Sequence, residues 1–508
     1  MDLGLERIRR LLVHLGSPQL AYDVIHVAGT NGKGSICASL SSVLSSLPLR
    51  VGLFTSPHLI RPSDSLRLND RPISPSLYSS ALTHVASVDA RHATACTSFE
   101  LATAAALHLF RTERCDVAVV EVGLGGRLDA TNVFDPPSVP RVCVISAIGL
   151  DHVAQLGPTV RDIAKEKCGI LKKATVAVVA PQEFPEVDEV IKEEAEKAGT
   201  ELVFVKPAEW ADARIQSKLS FDNAAVKRAE NHNLMARPAG PDGLERRTAI
   251  PPDHPEPPRL AHLPATSRHP AVTYPVVLPG DFQLGNSAAA VWALRVLAER
   301  GSGVDLNTPT DFSNNAGTAS TQQGKYSPLT DPSTLSHGLS LLQWPGRLQW
   351  LPLPRPVSQR GWILLDGAHN EQAAKAVGAF VDTLERARTL RRGGRGGVTW
   401  ALALASHKPP TEVIPHLVRR GDTVHLGTFP TPEGMPWVRP HPRDALVDVI
   451  ETCGATVSGE IGGWDELRDV AQKAWDDSGV CVVAGSLYWV GEVARWMEGV
   501  SKQASARE

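Results

Sequence analysis

The chain has 508 residues, of which 42% are hydrophobic and 21% charged, and its formal net charge is -3. That length exceeds one ordinary core and reads as two globular units. Charge is spread without long single-sign runs, so composition gives no reason to expect nucleic acid or a membrane surface as a partner, and a soluble enzyme is the default.

The opening Met1–Ile8 already carries Asp2 and Glu6 and has no apolar stretch of signal-peptide length, and no later segment is apolar enough to span a bilayer. Leu5, Ile8, Leu12 and Leu15 fall at helical spacing and read as an amphipathic helix docked on a core. Cys37, Cys96, Cys115, Cys143, Cys168, Cys453 and Cys481 form an odd set with no Cys-x-x-Cys pair. Reduced, buried thiols and a cytoplasmic location are the expectation.

Short β-rich apolar runs then recur at Val24–Ala28, Val51–Phe54, Val117–Val122, Val142–Ile148 and Val176–Val179, alternating with helical patterns. This is the mark of an α/β unit with a mostly parallel sheet. Residues 206–274 shift to Pro, Arg, His and Ala and are expected to be mostly a mobile insertion. Residues 301–340, rich in Ser, Thr, Asn and Gln, read as a linker or inserted loop at a boundary near Trp344. A second α/β pattern follows, with strand candidates Ile363–Leu365, Thr399–Leu404, Thr423–Leu426 and Val480–Val483. The division expected is 1–342 and 343–508.

The strongest local signal is Val24 to Ser35: a strand, the glycine-rich turn Gly29-Thr30-Asn31-Gly32-Lys33-Gly34, and a helical run from Ser35. Glycines let backbone N–H groups converge on phosphate oxygens, the helix N-terminus adds partial positive charge, and Lys33 adds a full one. The spacing departs from the strict Walker pattern, since Val27 stands where its first glycine is expected and Gly34 separates Lys33 from Ser35. An ordinary tight turn is the plainer alternative.

Two further strand ends carry polar groups: Val117-Ala118-Val119-Val120-Glu121, and Val144 to Ile148 running on to Asp151-His152. Ligands gather at the carboxyl ends of parallel strands, so Lys33, Glu121 and His152 can converge. Magnesium prefers hard oxygen donors, which suits Glu121 better than His152. On the helical segment Thr159–Ile170, Val160, Ile163, Ala164, Lys167 and Leu171 share one face. Lys167 is then either a desolvated amine open to capture of carbon dioxide as a carbamate, or a lysine that snorkels past the core to solvent.

Together these segments resemble the folylpolyglutamate synthase and dihydrofolate synthase family of Mur-ligase-like amide-forming ligases. The resemblance is carried by His26–Ser35, Phe54–Leu59, Ser98–Leu101, Glu121–Asn132, Leu150–His152 and Glu166–Ile170. It continues through Phe282, Gln283 and Asn286, Pro345–Arg347, Asp366–Asn370 and Gly485–Tyr488. It implies an N-terminal P-loop ATPase domain with a mostly parallel sheet, a C-terminal Rossmann-like α/β domain, and an active site between them. It also implies that Thr30, Asn31, Gly32, Lys33, Gly34 and Ser35 bind ATP, with Asn286, Arg347 and Asp366 as further nucleotide contacts. Ser56, Glu121, His152 and Lys167, the last as a carbamate, are the implied magnesium site. Ser98, Phe99, Glu100, Leu128, Asp129 and Ala130 are the implied pterin contacts, with His369 near the incoming glutamate. Lys33, His152, Lys167 and His369 are the catalytic candidates.

The implied reaction joins L-glutamate to dihydropteroate with ATP and magnesium, in a monomer whose partners are these small molecules. Extension of an existing folate glutamate tail is the alternative within the family. The opening segment and Glu433–Val438 resemble fungal dihydrofolate synthases. Two departures from the family pattern stand out: Ser406-His407-Lys408-Pro409, where acids usually flank the lysine, and Asp64-Ser65-Leu66-Arg67, where Glu-Arg is usual. A Mur-type cell-wall ligase is disfavoured by the implied pterin segments. A nucleotide switch without ligase chemistry is disfavoured because Glu121, His152, Arg347, Asp366 and His369 are all present.

Overall fold

The structure, a computed structural model, describes residues 4–135, 140–211, 259–301, 324–353, 361–384, 397–433, 435–477 and 479–505. Eight strands build the first sheet: β1 (Asp23–Ala28), β2 (Val51–Phe54), β3 (Leu66–Leu68), β4 (Arg71–Pro72), β5 (Val117–Glu121), β6 (Val142–Ile145), β7 (Val176–Val179) and β8 (Glu201–Phe204). Their order is β4-β3-β2-β5-β1-β6-β7-β8. From β2 to β8 every neighbouring pair is parallel, while β3 and β4 add an antiparallel edge. Every residue of β5, β6 and β7 is buried, which is why these strands read as unbroken apolar runs. Helix Glu6–His14 buries Ile8, Leu11 and Leu12 on this unit, and Leu5 and Leu15 pack on the same cluster, as the spacing predicts.

Within residues 206–274, expected to be mostly a mobile insertion, the described residues 206–211 and 259–274 contain regular structure. They supply β9 (Glu209–Trp210), β10 (Arg259–Leu263) and β11 (Val272–Val276), an antiparallel sheet in the order β11-β10-β9. Ala261, Leu263, Val272 and Tyr274 join the main core under helix Gln283–Gly301. Proline-rich flanks hide this alternation in the sequence, and Pro275 is tolerated because β11 is an edge strand. Residues 212–258 lie outside the described residues. Likewise, within 301–340, helix Pro332–Ser340 packs on helix Lys33–Ser45: a Cβ on Gly338 would meet the Cα of Val43 at 2.5 Å. Residues 302–323 of that stretch lie outside the described residues.

The second sheet contains β12 (Gln349–Pro352), β13 (Trp362–Leu365), β14 (Thr399–Leu402), β15 (Thr423–Gly427), β16 (Thr456–Ile461) and β17 (Cys481–Ala484), ordered β12-β13-β17-β14-β15-β16. Only β12 runs antiparallel to its neighbour. The edges β12 and β16 escape sequence detection, β16 because its Thr-Val-Ser-Gly-Glu-Ile run exposes polar residues at alternate positions. Among the described residues, no helix is long and apolar enough to cross a membrane.

Candidate active site

At the end of β1 the chain turns through Gly29–Lys33 and enters helix Lys33–Ser45. Thr30 and Asn31 donate their amides to Ala147 O at 2.9 and 3.0 Å, and Gly149 N donates to Thr30 Oγ1 at 3.1 Å. The turn is thereby tied to the loop after β6. Gly32 has a φ of 89°, and a Cβ there would stand 2.3 Å from Asn286 Oδ1, so both conformation and space demand glycine. Asn286 is thus beside the turn, and its neighbour Gln283 reaches Ser35 Oγ at 3.5 Å. The helix N-terminus keeps orphan N–H groups, the ready-made anion site of a helix start. Lys33 Nζ donates to Thr30 O at 3.2 Å and stands 3.9 Å from Glu121 Oε1.

Glu121 closes β5, and burial pushes its carboxyl up to about 6 despite the nearby charges of Lys33 and Arg347. Ser56 N donates to Glu121 Oε2 at 3.3 Å, and Ser56 Oγ is buried without a hydrogen-bond partner. Lys167 takes the inward of its two readings. Helix Val160–Cys168 is capped by Thr159 and presents Val160, Ile163, Ala164 and Lys167 to the core. Lys167 is 4% exposed, its Nζ donates to Gly29 O at 2.7 Å, and burial, with Lys33 nearby, brings its amine down to about 7.

The second sheet's loops meet this surface. Asn370 caps helix Glu371–Thr383 through Ala373 N at 2.9 Å, and its Nδ2 donates to Asn31 Oδ1 at 3.1 Å and Asp151 Oδ2 at 3.0 Å. Asn31 Nδ2 in turn donates to Gln372 Oε1 at 2.7 Å, and Gln372 Nε2 to Glu183 Oε2 at 2.8 Å. Lys408 forms a buried ion pair with Asp151. Burial opposes ionisation of Asp151, yet His152, Lys408 and His369 hold its carboxyl well below the usual range. Burial lowers His152 to about 3 and His369 to about 4, so both imidazoles are neutral at pH 7 and Lys408 supplies the compensating charge. His369 Nδ1 lies 2.8 Å from Gly367 O, which can only accept; Nδ1 therefore carries the proton and Nε2 a free lone pair. Asp366 is buried, accepts from Leu348 N and Ala368 N at 2.8 Å each, and is raised by its burial. Arg347 Nη1 donates to Gly346 O at 3.0 Å.

A third group surrounds the loop after β5. Phe99 stacks on Phe54 at 6.2 Å and covers Gly123, where a Cβ would lie 2.4 Å from its ring. Asp129 is buried and accepts from Leu124 N at 2.8 Å, Thr131 N at 3.0 Å and Thr131 Oγ1 at 2.5 Å, which shapes the turn carrying Leu128 and Ala130. Ser98 is exposed at the start of its helix. Glu100 stands apart from this group: its Oε2 accepts from Thr97 N at 2.7 Å and Arg7 Nε at 3.0 Å, in a capping box at the helix start.

The structure therefore gathers Thr30–Ser35, Asn286, Ser56, Glu121 and Lys167 at the carboxyl ends of β1, β2 and β5. Asp151 and His152, after β6, lie on the same unit, and His369 approaches from the other one, with Nε2 3.8 Å from Asp151 Oδ2. The bridging partners Gln372 and Glu183 carry no sequence signal. Among the described residues no three His, Cys, Asp or Glu side chains are gathered as a metal centre. A serine, one carboxylate and one neutral imidazole nonetheless suit magnesium, which keeps several waters.

A model of the dihydrofolate synthetase C-terminal domain matches residues 349–496, and one of the Mur ligase middle domain matches residues 27–237. A probable dihydrofolate synthetase of Schizosaccharomyces pombe is 31% identical over 498 residues, spanning 98% of this chain and 99% of that protein. The dihydrofolate synthetase of Saccharomyces cerevisiae is 32% identical over 503 residues, spanning 97% of this chain and 98% of its own. The fold is similar to the Mycobacterium tuberculosis folylpolyglutamate synthase solved with ADP and AMPPCP, with a TM-score of 0.69, 25% identity, and coverage of 98% of this chain and 95% of that one. Similarity of this extent means that the chain belongs to the dihydrofolate synthetase and folylpolyglutamate synthase family of Mur-ligase-like enzymes, which form carbon–nitrogen bonds.

Proposed function

We propose that the chain joins L-glutamate to 7,8-dihydropteroate, converting ATP to ADP and phosphate and yielding dihydrofolate. The observation that carries this reading is the contact of Asn31, in the phosphate turn, with Asn370 and Gln372. It brings a phosphate-binding surface and the Asp366–His369 loop to one cleft, as a reaction between a phosphorylated acyl group and a second substrate requires. The units that close on each other are taken as 1–342 and 343–508.

A carboxylate is a poor electrophile until it is phosphorylated. The pteroate carboxylate attacks the γ-phosphorus of ATP and ADP leaves; the glutamate nitrogen, as the free amine, then attacks the acyl phosphate, phosphate leaves, and the nitrogen gives up one proton and keeps the other as the amide N–H. The Thr30–Ser35 turn with Asn286, and Arg347 and Asp366 from the other unit, hold the nucleotide. Lys33 neutralises charge that shifts between phosphoryl oxygens. Ser56, Glu121, His152 and a carbamate on Lys167 would hold magnesium, which when bound supplies Lewis-acid charge to the phosphates. Lys167 fits this role because an amine near pKa 7 is roughly half neutral at pH 7 and so open to carbon dioxide. His369 offers its bare Nε2 to a proton of the incoming amine. Phe99, Leu128, Asp129 and Ala130 form the pterin wall, whereas Glu100 acts on it through the cap it makes.

All seven cysteines are free, which supports a reducing compartment, and the cytoplasm is proposed. A monomer suffices, since both faces of the cleft come from one chain. The test is phosphate release by the purified protein with ATP, magnesium and glutamate, comparing dihydropteroate with tetrahydrofolate as acceptor. Turnover with dihydropteroate alone is expected; turnover with tetrahydrofolate alone would make it a tail-extending enzyme, and silence with both would sink the ligase reading.

A further inference from the structure

The loop from Thr55 to Ser65 leaves β2 with Ser56 beside Glu121 and then runs onto the other unit. Leu59, partly buried, packs against the hydrophobic cluster of the second unit that includes Trp489, Val490 and Val493. A Cβ on Gly491 would stand 1.9 Å from Leu59 O, so the helix Leu487–Ser505 admits the loop backbone only because that position is glycine. Arg495 Nη2 donates to Ile60 O at 2.9 Å, and Arg61 makes an ion pair with Glu498, which is itself buried. Within the loop, Asp64 Oδ2 accepts from Ile60 N at 3.0 Å and Arg61 N at 2.8 Å, so the gripped segment is a compact turn rather than a slack tether.

We propose that Gly491, Arg495 and Glu498 are positioning residues of the magnesium site: they hold Leu59–Arg61, and through that turn they hold Ser56 beside Glu121. The inference rests on reading Ser56 and Glu121 as magnesium ligands. Leu59 lies three residues from Ser56, so at most about 11 Å of extended chain separates the clamp from the ligand. With Asp64 tightening the turn, displacement at Leu59 reaches Ser56 with little slack. Ser56 Oγ is buried without a partner, and its placement therefore depends on where the backbone is held. Docking of the two units and completion of the metal site become one event, and an undocked enzyme binds nucleotide without a well-formed cation site. A clamp that merely glued the units together would affect stability alone.

The experiment measures manganous-ion affinity by electron paramagnetic resonance in the full-length protein with AMPPCP, for Arg61→Glu, Glu498→Arg and the double exchange. Hydrogen exchange of the 56–65 loop is followed in the same proteins without ligands. Each single variant is expected to weaken the ion by about tenfold, the usual cost of losing an outer support of a metal ligand, and to speed exchange across the loop. The double exchange should recover both. If a single variant does not fold, Gly491→Ala tests the same contact. Unchanged ion affinity in variants whose loop exchanges faster overturns the proposal, as does a double exchange no better than the singles. Failure of the parent protein to bind the ion with AMPPCP is a different result, since it removes the metal reading itself.

Discussion

Two buried carboxylates stand at strand ends of the same sheet and have opposite surroundings. Glu121, ending β5, has Lys33 at 3.9 Å and one backbone donor, and burial still lifts it to about 6. Asp151, after β6, is locked by Lys408, Asn370 and its own loop, and stays well below the usual range. Burial is similar, so the partner makes the difference. A carboxylate whose burial is only partly offset is poised to take a cation, whereas a fully paired one joins two units. Perturbation of the first kind is a functional sign, and of the second a structural one.

The sharpest way to break that contrast is Glu121→Gln. Loss of the carboxylate should lower turnover by about a thousandfold, the scale of removing a preorganised charge from the transition state. The same change should stabilise the ligand-free fold. The gap between the ordinary 4.5 and about 6 is worth about 2 kcal/mol. Because the folded value is raised, this stability is fully present below pH ~4.5 and lost as pH rises through about 6. The gain of the variant over the parent should therefore appear at pH 8 and vanish at pH 4 in urea unfolding. A variant that keeps activity within about tenfold would remove Glu121 from the chemistry.

Lys408→Met tests the opposite member. It leaves Asp151 ionised in a buried site, and a loss of about 3 kcal/mol is expected at pH 7, read as a lower urea midpoint. Asp151 has a depressed folded value, so its stabilising effect is present above the ordinary carboxylate range and fades as pH falls through the lower folded value. The acid sensitivity of the parent should flatten in the variant, and Asp151→Asn combined with Lys408→Met should recover most of the loss. An unchanged midpoint would mean that the pair is not what holds the units together.

These two sites were not equally legible. The phosphate turn and Glu121 are local: glycines, a lysine and an apolar strand ending in an acid can be read within a dozen residues. The Asp151–Lys408 pair spans 257 residues and the Asn31–Gln372 bond 341, distances at which no periodicity speaks. Edge strands β9, β11, β12 and β16 were hidden because half of an edge strand faces water and its pattern looks like loop. Glu100 is a different case. Thr97-Ser98-Phe99-Glu100 carries the capping-box spacing in plain sight, and the physical reading of that spacing accounts for where its carboxylate lies.

Lys167 offers the smallest effect and the finest discrimination, because burial and Lys33 act on its charge in one direction and Asp151 and Asp129 in the other. Its folded value, about 7 against an ordinary 10.5, means that the charged form is disfavoured in the fold, and that penalty fades as pH rises from about 7 toward 10.5. If the neutral amine takes up carbon dioxide, a carbamate forms and one proton is released, converting an uncharged group beside Gly29 O into an anion near Lys33. Depleting carbon dioxide should then lower turnover by roughly severalfold, with bicarbonate restoring it and a carbon-13 carbamate signal appearing in step. Lys167→Arg, which keeps a cation but cannot form the carbamate, should show the lowered turnover of the carbon-dioxide-depleted parent and be indifferent to bicarbonate. Equal activity of the parent with and without bicarbonate, and no carbon-13 signal, would mean that Lys167 acts as an amine bonded to Gly29 O, and Glu121 would then be the only anionic side chain in the proposed cation set.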